Sequence, residues 1–426
     1  QVLFVVVVVV VFVQVMKQYS PLIGDGAPTG HLSVAGGTAA LFVSMVGTGV
    51  VAFPYAISLA GVAVGIVTFL CVTIMTHASF MALFSATDAT NCSSYDELIS
   101  VLPKSWSKLS TLALAALLVL ATTAYVIIAA DTMRSVAEVS GLLTRRLTEM
   151  EQAALLTSIA AAVLPLCTAR SLSGLSSLTA FCNVALFVIA GIVSFRCAAV
   201  VGTGPPAQPA VGATNPVSTV MCVPILGTAL FGHMNAPRIY SELTLSARKY
   251  AQVVSGAACL LAFLVYGGLG VVGYMAFGGS TTPDIVAQVA EFTGEGYSIA
   301  FAQALLAAFV LLKTPFLAHP LRSLLTPFVS PGDTIDTASP AVNLAVATGS
   351  MLLVLICALV LPNLGEVLEI LGAACCAPLA YIIPARVALA CGMPRCQCFV
   401  MGLAGVLVCV LSLTAVLGSW TGLLVK

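Results

Sequence analysis

Long apolar runs separated by short polar segments make up most of the chain. A helix needs about 20 predominantly apolar residues to cross a bilayer, and the runs after residue 33 have about that length. The pattern therefore predicts eleven membrane-spanning helices, numbered here span 1 to span 11. Their approximate limits are 35–59, 61–87, 109–131, 153–169, 178–201, 218–236, 250–277, 298–318, 338–361, 367–390 and 397–419. A twelfth span at residues 2–16 is an alternative.

Two of these spans contain helix-disrupting residues within the apolar run. Span 1 contains Gly47, Thr48 and Gly49, with Pro54 shortly after, and span 6 contains the segment 231–237, Phe-Gly-His-Met-Asn-Ala-Pro. Glycine and proline disfavour helix, and backbone groups freed in hydrocarbon need polar partners. Broken helices at matching positions of two repeats indicate a transporter's binding site. The alternatives are a kink or glycine contact in span 1 and a simple helix end in span 6.

The composition predicts an all-α polytopic membrane protein, with the lipid bilayer as its environment. The chain is 60% hydrophobic and 8% charged, whereas soluble domains carry about 25% charged residues. Basic and acidic residues, 16 of each, cancel, so no nucleic-acid partner is indicated. The four histidines are far apart and the cysteines lack zinc-site spacing, so no catalytic residue, metal or cofactor is expected. A membrane-embedded enzyme or a channel is the alternative of another class, but clustered catalytic residues or a polar pore stripe are not evident.

The basic residues between the spans predict the orientation. If the N-terminus is inside, ten of them lie on the inner face and four on the outer face. The positive-inside rule then favours a cytosolic N-terminus and an external C-terminus. Residues 1–32, which include seven consecutive valines, are expected to form a cytosolic, low-complexity lead-in, and residues 33–426 the transmembrane domain.

Five segments spread along the chain resemble, in order, those of the amino acid/auxin permease family. They are 47–56 in span 1, 231–243 in and after span 6, 273–278 at the end of span 7, and 320–323 and 370–373. The resemblance implies amino acid transport through a LeuT-type fold of five plus five spans in inverted repeats, with spans 1 and 6 broken. Repeat one would cover about 33–201, repeat two about 218–390, and an extra span 397–419. Alternating access would rock a bundle of spans 1, 2, 6 and 7 against a scaffold of spans 3, 4, 8 and 9.

The two breaks are the predicted site for the backbone portion of an amino acid. Amides freed at Gly47, Thr48 and Gly49 lie at the start of the outer half-helix of span 1, where an α-carboxylate is favoured. Carbonyls freed near Ser44 and near the break in span 6 suit an α-ammonium. From span 6 and span 3 the predicted substrate contacts are Phe231, Gly232, Asn235 and Tyr125.

Three charged or titratable residues near the site have alternative interpretations. Asp131, at the outer end of span 3, either receives a cationic substrate or pairs with Arg134 three residues later. His233 is either a proton-sensitive group or a hydrogen-bonded structural histidine. Glu242 is expected to pair with Arg238 as an inner gate or a helix cap. Because no acid is clearly placed at the bilayer midplane, neutral amino acids are favoured, with arginine or lysine as the alternative.

Lys313 is a basic residue deep in span 8, and it bears on ion coupling. A buried charge there costs at least about 2.5–3.5 kcal/mol, so we expect it to face protein or a wet cavity. The chain resembles the sodium-coupled neutral amino acid transporter branch, in which a threonine aligns with Lys313 and asparagines stand where this chain has Ala40 and Val43. Lys313, with Thr314, is therefore expected to replace the sodium ion. The prediction is sodium-independent transport, either proton-coupled or facilitative, in the plasma membrane or an internal, vacuolar or lysosomal-type, membrane.

Overall fold

The computed structural model describes residues 30–145, 147–169, 176–201, 215–293 and 296–420. Regular structure in these residues is helical, apart from one isolated bridge between Leu32 and Leu243. The α-helices are α1 Val34–Met45, α2 Phe53–Ala60, α3 Val62–Thr90, α4 Tyr95–Ser100, α5 Lys104–Val139, α6 Glu149–Cys167, α7 Ser176–Val200, α8 Pro216–Ala229, α9 Ala236–Ser241, α10 Leu245–Arg248, α11 Ala251–Phe277, α12 Ile285–Thr293, α13 Tyr297–Val329, α14 Pro340–Val360, α15 Leu364–Ile370, α16 Ile383–Ala390 and α17 Arg395–Trp420.

Nine helical stretches of the described chain are long and apolar enough to cross a membrane. The two shorter apolar helices that accompany them are α1 and the 184–200 part of α7. Each predicted run falls on one of these helices, so the all-α polytopic architecture is confirmed. The total of eleven spans and the inverted-repeat relationship stay predictions. Following the predicted topology, the face that carries α12 is called the outer face.

The helices pack in two groups joined by α7. In the first group, α1 and α2 lie against α11, and α2 also contacts α3 and α8. An aromatic cluster holds this group together, because the Phe53 ring lies 4.6 Å from Phe69 and 5.7 Å from Tyr266. In the second group, α5 packs along α13 and α14, and α6 contacts all three. The α7 helix touches both α11 and α13. Spans 1, 2, 6 and 7 thus pack together, as do spans 3, 4, 8 and 9.

Span 10 contains two π-helical segments, Leu371–Cys376 and Pro378–Ile382, between α15 and α16. A π-helix is rare and widens the backbone, and it occurs often at functional sites. Side chains of span 2 and of α4 satisfy carbonyls in this region. The Tyr95 hydroxyl donates to the Leu379 carbonyl at 2.5 Å, and the Ser79 hydroxyl donates to the Ala380 carbonyl.

The described chain begins with residues 30–32, which pair with the segment after span 6. The His31 and Leu32 amides both donate to the Glu242 carbonyl at 2.8 Å, and the Thr244 amide donates to the Leu32 carbonyl at 3.0 Å. The rest of the predicted lead-in, residues 1–29, lies outside the described residues, as does the alternative span at 2–16. Residues 30–32 connect the inner ends of spans 1 and 6.

Candidate functional site

Spans 1 and 6 are both interrupted, as the sequence predicted. In span 1, α1 ends at Met45, a 3-10 turn follows at Thr48–Val50, and α2 begins at Phe53. In span 6, α8 ends at Ala229, a 3-10 turn follows at His233–Asn235, and α9 begins at Ala236. The helix breaks therefore fall on the glycine and proline clusters rather than at the ends of the apolar runs.

The two breaks lie directly against each other. A Cβ added to Gly232 would lie 2.5 Å from the Ser44 Oγ and 3.0 Å from the Met45 Cγ. A Cβ added to Gly49 would lie 3.0 Å from the Cα of Ala229. Glycine is therefore required at Gly232, and at Gly49 a side chain fits only if the span 6 backbone moves. The structure brings Ser44, Gly49 and Gly232 together.

Gly47 differs from these glycines because it faces open space. No heavy atom lies within 4 Å of the position that its Cβ would occupy. The Gly47 amide hydrogen-bonds to the Tyr266 hydroxyl of span 7, whereas the Gly49 amide donates to none of the backbone carbonyls that bond outside helices in the described chain. These amides precede α2, whose N-terminal end carries the positive end of the helix dipole. The arrangement suits an anionic group such as a carboxylate.

The carbonyls at the end of α1 already have some internal partners. The Ser44 hydroxyl donates to the Leu41 carbonyl at 2.7 Å. The Tyr266 hydroxyl, from span 7, donates to the Met45 carbonyl at 3.2 Å. Sequence reasoning missed Tyr266, because an aromatic residue in an apolar run gives no signal that its hydroxyl reaches another span. Tyr266 therefore fixes the inner edge of the break from a neighbouring helix.

The remaining predicted substrate contacts lie at different distances from the breaks. Phe231 is half-buried next to Gly232, and Asn235 is exposed at the end of its 3-10 turn. Tyr125 is buried on α5, with its ring 6.1 Å from Phe309 on α13. The structure thus places Phe231 beside the span 1 break, whereas Tyr125 lies in the packing between spans 3 and 8.

His233 is buried in an aromatic environment without a hydrogen bond. It is 1% exposed, and neither ring nitrogen has a partner in the described chain. Its ring stacks on Phe80 at 4.5 Å, and Phe231 and Tyr381 lie at 5.5 and 6.0 Å. The interpretation of His233 as a hydrogen-bonded structural histidine is therefore wrong, because its ring has no hydrogen-bond partner in the described chain. The imidazole is held by stacking between span 2 and span 6.

Lys313 lies on α13 near the Cys182 thiol of α7. The lysine takes part in none of the ion pairs of the described chain. The next residue, Thr314, is 2% exposed, and its hydroxyl donates to the Val310 carbonyl at 2.7 Å. A charged lysine without an acidic partner in a membrane-spanning helix is unfavourable in free energy.

Two ion pairs expected from the sequence are present. The Asp131 carboxylate lies 3.3 Å from the Arg134 guanidinium, and the Glu242 carboxylate lies 2.9 Å from Arg238. Asp131 is therefore already paired and is not presented alone to a cationic substrate. The second pair lies on the inner side, next to the Glu242 carbonyl that binds residues 30–32.

A narrow apolar crevice lies elsewhere in the first group of helices. It is bounded by Met75 on α3, by Gly227 on α8, and by Gly372 and Tyr381 on span 10. None of the predicted span 1 residues, Tyr125 or Lys313 lines it. The crevice therefore belongs to the packing between spans 2, 6 and 10 and is distinct from the open space at Gly47.

Comparisons with known proteins agree with this arrangement. The chain is 24% identical over 386 residues to "Amino acid transporter AVT6E" of Arabidopsis thaliana, covering 87% of this chain and 79% of that protein. It is 23% identical over 347 residues to "Putative sodium-coupled neutral amino acid transporter 11" of Bos taurus, covering 80% of this chain and 72% of that protein.

The fold is similar to that of a solved transporter structure. The crystal structure of MhsT in complex with L-phenylalanine matches with a TM-score of 0.58 at 13% identity, covering 92% of this chain and 100% of that one. The family model described as "Transmembrane amino acid transporter protein" matches residues 30–422, nearly the whole of the chain that the structure describes. The broken spans, their mutual contact and this match lead to one conclusion: the chain belongs to the transmembrane amino acid transporter protein family.

Proposed function

We propose that this protein moves neutral amino acids across its membrane by alternating access, without sodium. The substrate's α-carboxylate binds the amides of Gly47, Thr48 and Gly49, and its α-ammonium binds carbonyls around Ser44 and Gly232. The observation that carries the proposal is the open space at Gly47, just before the N-terminus of α2 and beside a second helix break. Elsewhere the contact between the two breaks is tight, so this is the place left for a small ligand.

The preference for neutral side chains rests on the charges near the breaks. Asp131, the acid considered for a cationic substrate, is engaged by Arg134 at 3.3 Å. Phe231 and the ring of Phe42, which lies 5.6 Å from Phe187 on α7, give the surroundings of the span 1 break an apolar character. An apolar side chain gains free energy by leaving water in such a place. A cationic side chain would lose hydration without an available counter-charge.

Sodium independence rests on Lys313. An ammonium fixed in span 8 repels a sodium ion that would bind in its neighbourhood, and its N–H groups can bond the carbonyls that sodium would use. The motion that we propose rocks spans 1, 2, 6 and 7 against spans 3, 4, 8 and 9, and the observed packing into these two groups supports it. Coupling to protons through Lys313, or facilitated transport without an ion, are the two forms of this proposal.

The test is uptake of a labelled neutral amino acid into proteoliposomes that contain the purified protein. We expect unlabelled neutral amino acids to compete, arginine and lysine to compete weakly, and replacement of sodium by choline to leave uptake unchanged. A pH gradient across the membrane distinguishes the two forms, since it drives accumulation only if transport is proton-coupled. Competition by cationic amino acids alone, or uptake that disappears in choline, would contradict the proposal.

A further inference from the structure

A buried carboxylate lies at the outer face, just before α12. Asp284 is 5% exposed, and its Oδ1 accepts hydrogen bonds from the Val286 and Ala287 amides, each at 3.0 Å. Its other oxygen, Oδ2, is buried and has no hydrogen-bond partner in the described chain. The two amide bonds explain why an aspartate begins this helix. They do not explain why Oδ2 is buried away from water without a hydrogen-bond partner, which costs free energy.

The surroundings of Asp284 are rich in acids. The α12 helix packs on α5, and Asp284 lies close enough to Asp131 for the two carboxyl groups to interact electrostatically. Arg134 lies 3.3 Å from Asp131 and 4.0 Å from Glu138, and Glu291 on α12 adds a further negative charge. One guanidinium thus faces four carboxyl groups. A buried carboxylate and a partly exposed one that share a single cation cannot both ionise without a free-energy cost.

The other elements packed around this segment add little positive charge. On α7, Arg196 uses its guanidinium to donate to the Thr293 hydroxyl at 2.9 Å, at the far end of α12. On α15, whose Gly365 contacts Pro283, the charged side chains are two further acids, Glu366 and the buried Glu369. On α13, the side chain that reaches the same level of α5 is Gln303, bonded to Ser135 at 2.7 Å. The excess of acid is therefore not compensated by the neighbouring helices.

The same segment connects the two groups of helices on the outer side. The Ile285 amide approaches the Val51 carbonyl, at the break of span 1, with an N–O distance of 3.5 Å. A Cβ on Gly365 would lie 3.0 Å from both the Pro283 Cγ and the Tyr55 ring. Residues 283–285 thus lie between α5 of one group and α2 of the other. A change of charge at Asp284 would therefore act on the contact between the two groups of helices.

We propose that Asp131 and Asp284 form a proton-binding site that is filled from the outer compartment, and that its proton stabilises the closed outer side of the transporter. The proton binds to Asp284 at Oδ2, the oxygen without a partner in the described chain, and removes the repulsion between this carboxyl group and Asp131. When the proton leaves, two carboxylates repel each other across the contact between α12 and α5. A proton fits better than a metal ion, because the described residues contain no group of three His, Cys, Asp or Glu side chains placed to hold one.

The burial of Asp284 sets the pH range in which the site should act. Burial raises the pKa of Asp284 to about 6, against the lowering effect of the two amide bonds and of Arg134. Because the pKa of this acid is raised in the folded structure, the closed packing is favoured below about pH 6 and weakened as the pH rises through that value. Each transport cycle requires the outer side to close, so uptake should fall as the outer pH rises.

The experiment is uptake into proteoliposomes of known orientation, with the pH varied on one side at a time. Wild-type uptake should fall about threefold or more as the outer pH rises through the range near 6, and change much less with the inner pH. Asp284→Asn keeps the Oδ1 that accepts the two amide bonds and is permanently neutral. At every outer pH, Asp284→Asn should transport as fast as the wild type does at acidic outer pH. Asp131→Asn should likewise lose the dependence of uptake on outer pH. Glu149→Gln, which neutralises an exposed acid at the start of α6 on the predicted outer face, is the control and should keep the wild-type profile.

An infrared difference spectrum between acidic and neutral pH gives a readout that does not depend on transport. The wild type should show the carbonyl-stretch band of a protonated, buried carboxyl group, and this band should be lost in Asp284→Asn and kept in Glu149→Gln. An unchanged pH midpoint of uptake in Asp284→Asn, or a band that persists in it, would overturn the proton site. If the wild type fails to transport any amino acid, the proposed function fails, while the infrared band still decides this inference.

Discussion

At the scale of single residues, Lys313 is the side chain whose chemistry bears most directly on coupling. It is a cation within a membrane-spanning helix, and its neighbour across the helix contact is a thiol, Cys182, rather than a carboxylate. Such a charge is costly in a membrane, at least about 2.5–3.5 kcal/mol on insertion scales. If the ammonium replaces a bound ion, its removal leaves carbonyls near the span 1 break without their cation.

We therefore expect Lys313→Ala to reduce amino acid uptake by about tenfold, which corresponds to about 1.4 kcal/mol. The measurement is initial uptake in proteoliposomes, in sodium and in choline. Lys249→Ala is the control, since Lys249 is exposed on the inner side. Wild-type uptake that depends steeply on sodium, or full activity of Lys313→Ala, would show that the ammonium does not take the ion's place.

His233 supports a second residue-scale prediction, on stability. Its two ring nitrogens are buried without partners, and its ring stacks on Phe80. Phenylalanine retains the stacking and removes the two unsatisfied polar atoms, which is nearly neutral or stabilising. His233→Phe should therefore change the free energy of unfolding by less than about 1 kcal/mol, or increase it. Thermal unfolding of the purified protein measures this, and a large loss of stability would reveal a hydrogen bond that the structure does not contain.

At the scale of the elements, span 10 packs closely against the broken span 6. The first π-helical segment passes so close to α8 that a Cβ on Gly372 would lie 2.1 Å from the Pro224 carbonyl oxygen. Because the conflicting atoms belong to the backbone, a side-chain rotation cannot relieve the contact. The position of α8, and with it the break at Gly232, depends on this close approach.

Gly372→Ala should accordingly lower the free energy of unfolding by about 1–3 kcal/mol or more, as expected for overpacking. Gly349→Ala is the matched control, because Gly349 is exposed on α14 and its Cβ would meet no heavy atom within 4 Å. Unfolding midpoints of both variants in the same detergent provide the comparison. Equal stability of the two variants would mean that spans 6 and 10 separate more easily than the packing indicates.

Some features of these helices could be predicted from the sequence, and others could not. The breaks in spans 1 and 6 were predictable, because glycine and proline act locally on the backbone. The π-helical segments of span 10 were not, because they depend on partners from elsewhere, such as the Tyr95 hydroxyl on the Leu379 carbonyl. Pro103 is a further local signal, like the glycines and prolines of spans 1 and 6, since α4 ends at Ser100 and α5 begins at Lys104 on either side of the break in helical bonding.

At the scale of the whole molecule, the order of apolar runs was enough to predict an all-α membrane protein, and the ordered motifs indicated its family. The pairing of Asp131 with Arg134 was predictable from their spacing on one helix. The contact of Gly232 with Ser44, the Tyr266 bond and the acid cluster at Asp284 were not, because each joins residues far apart in sequence. The two helix breaks could therefore be located from the sequence, but the residues from other spans that contact them could not.

An amino acid is proposed to bind in the open space at Gly47, beside the two breaks, and substitution of Gly47 tests this most directly. At Gly49 and Gly232 a larger side chain would disturb packing, so a loss of transport there would be ambiguous. At Gly47 the Cβ of a valine would have no heavy atom within 4 Å. The Gly47→Val protein should therefore fold normally, with the valine side chain in the space proposed for the substrate. Gly268→Val is the control, since Gly268 is exposed on α11 and its Cβ also meets nothing within 4 Å.

The decisive measurement is uptake of a labelled neutral amino acid by Gly47→Val and Gly268→Val, each reconstituted at equal amounts and checked for equal thermal stability. We predict that Gly47→Val transports no more than empty liposomes, while Gly268→Val matches the wild type. Wild-type uptake by Gly47→Val would contradict the account, because the substrate would then bind somewhere other than the open space at Gly47.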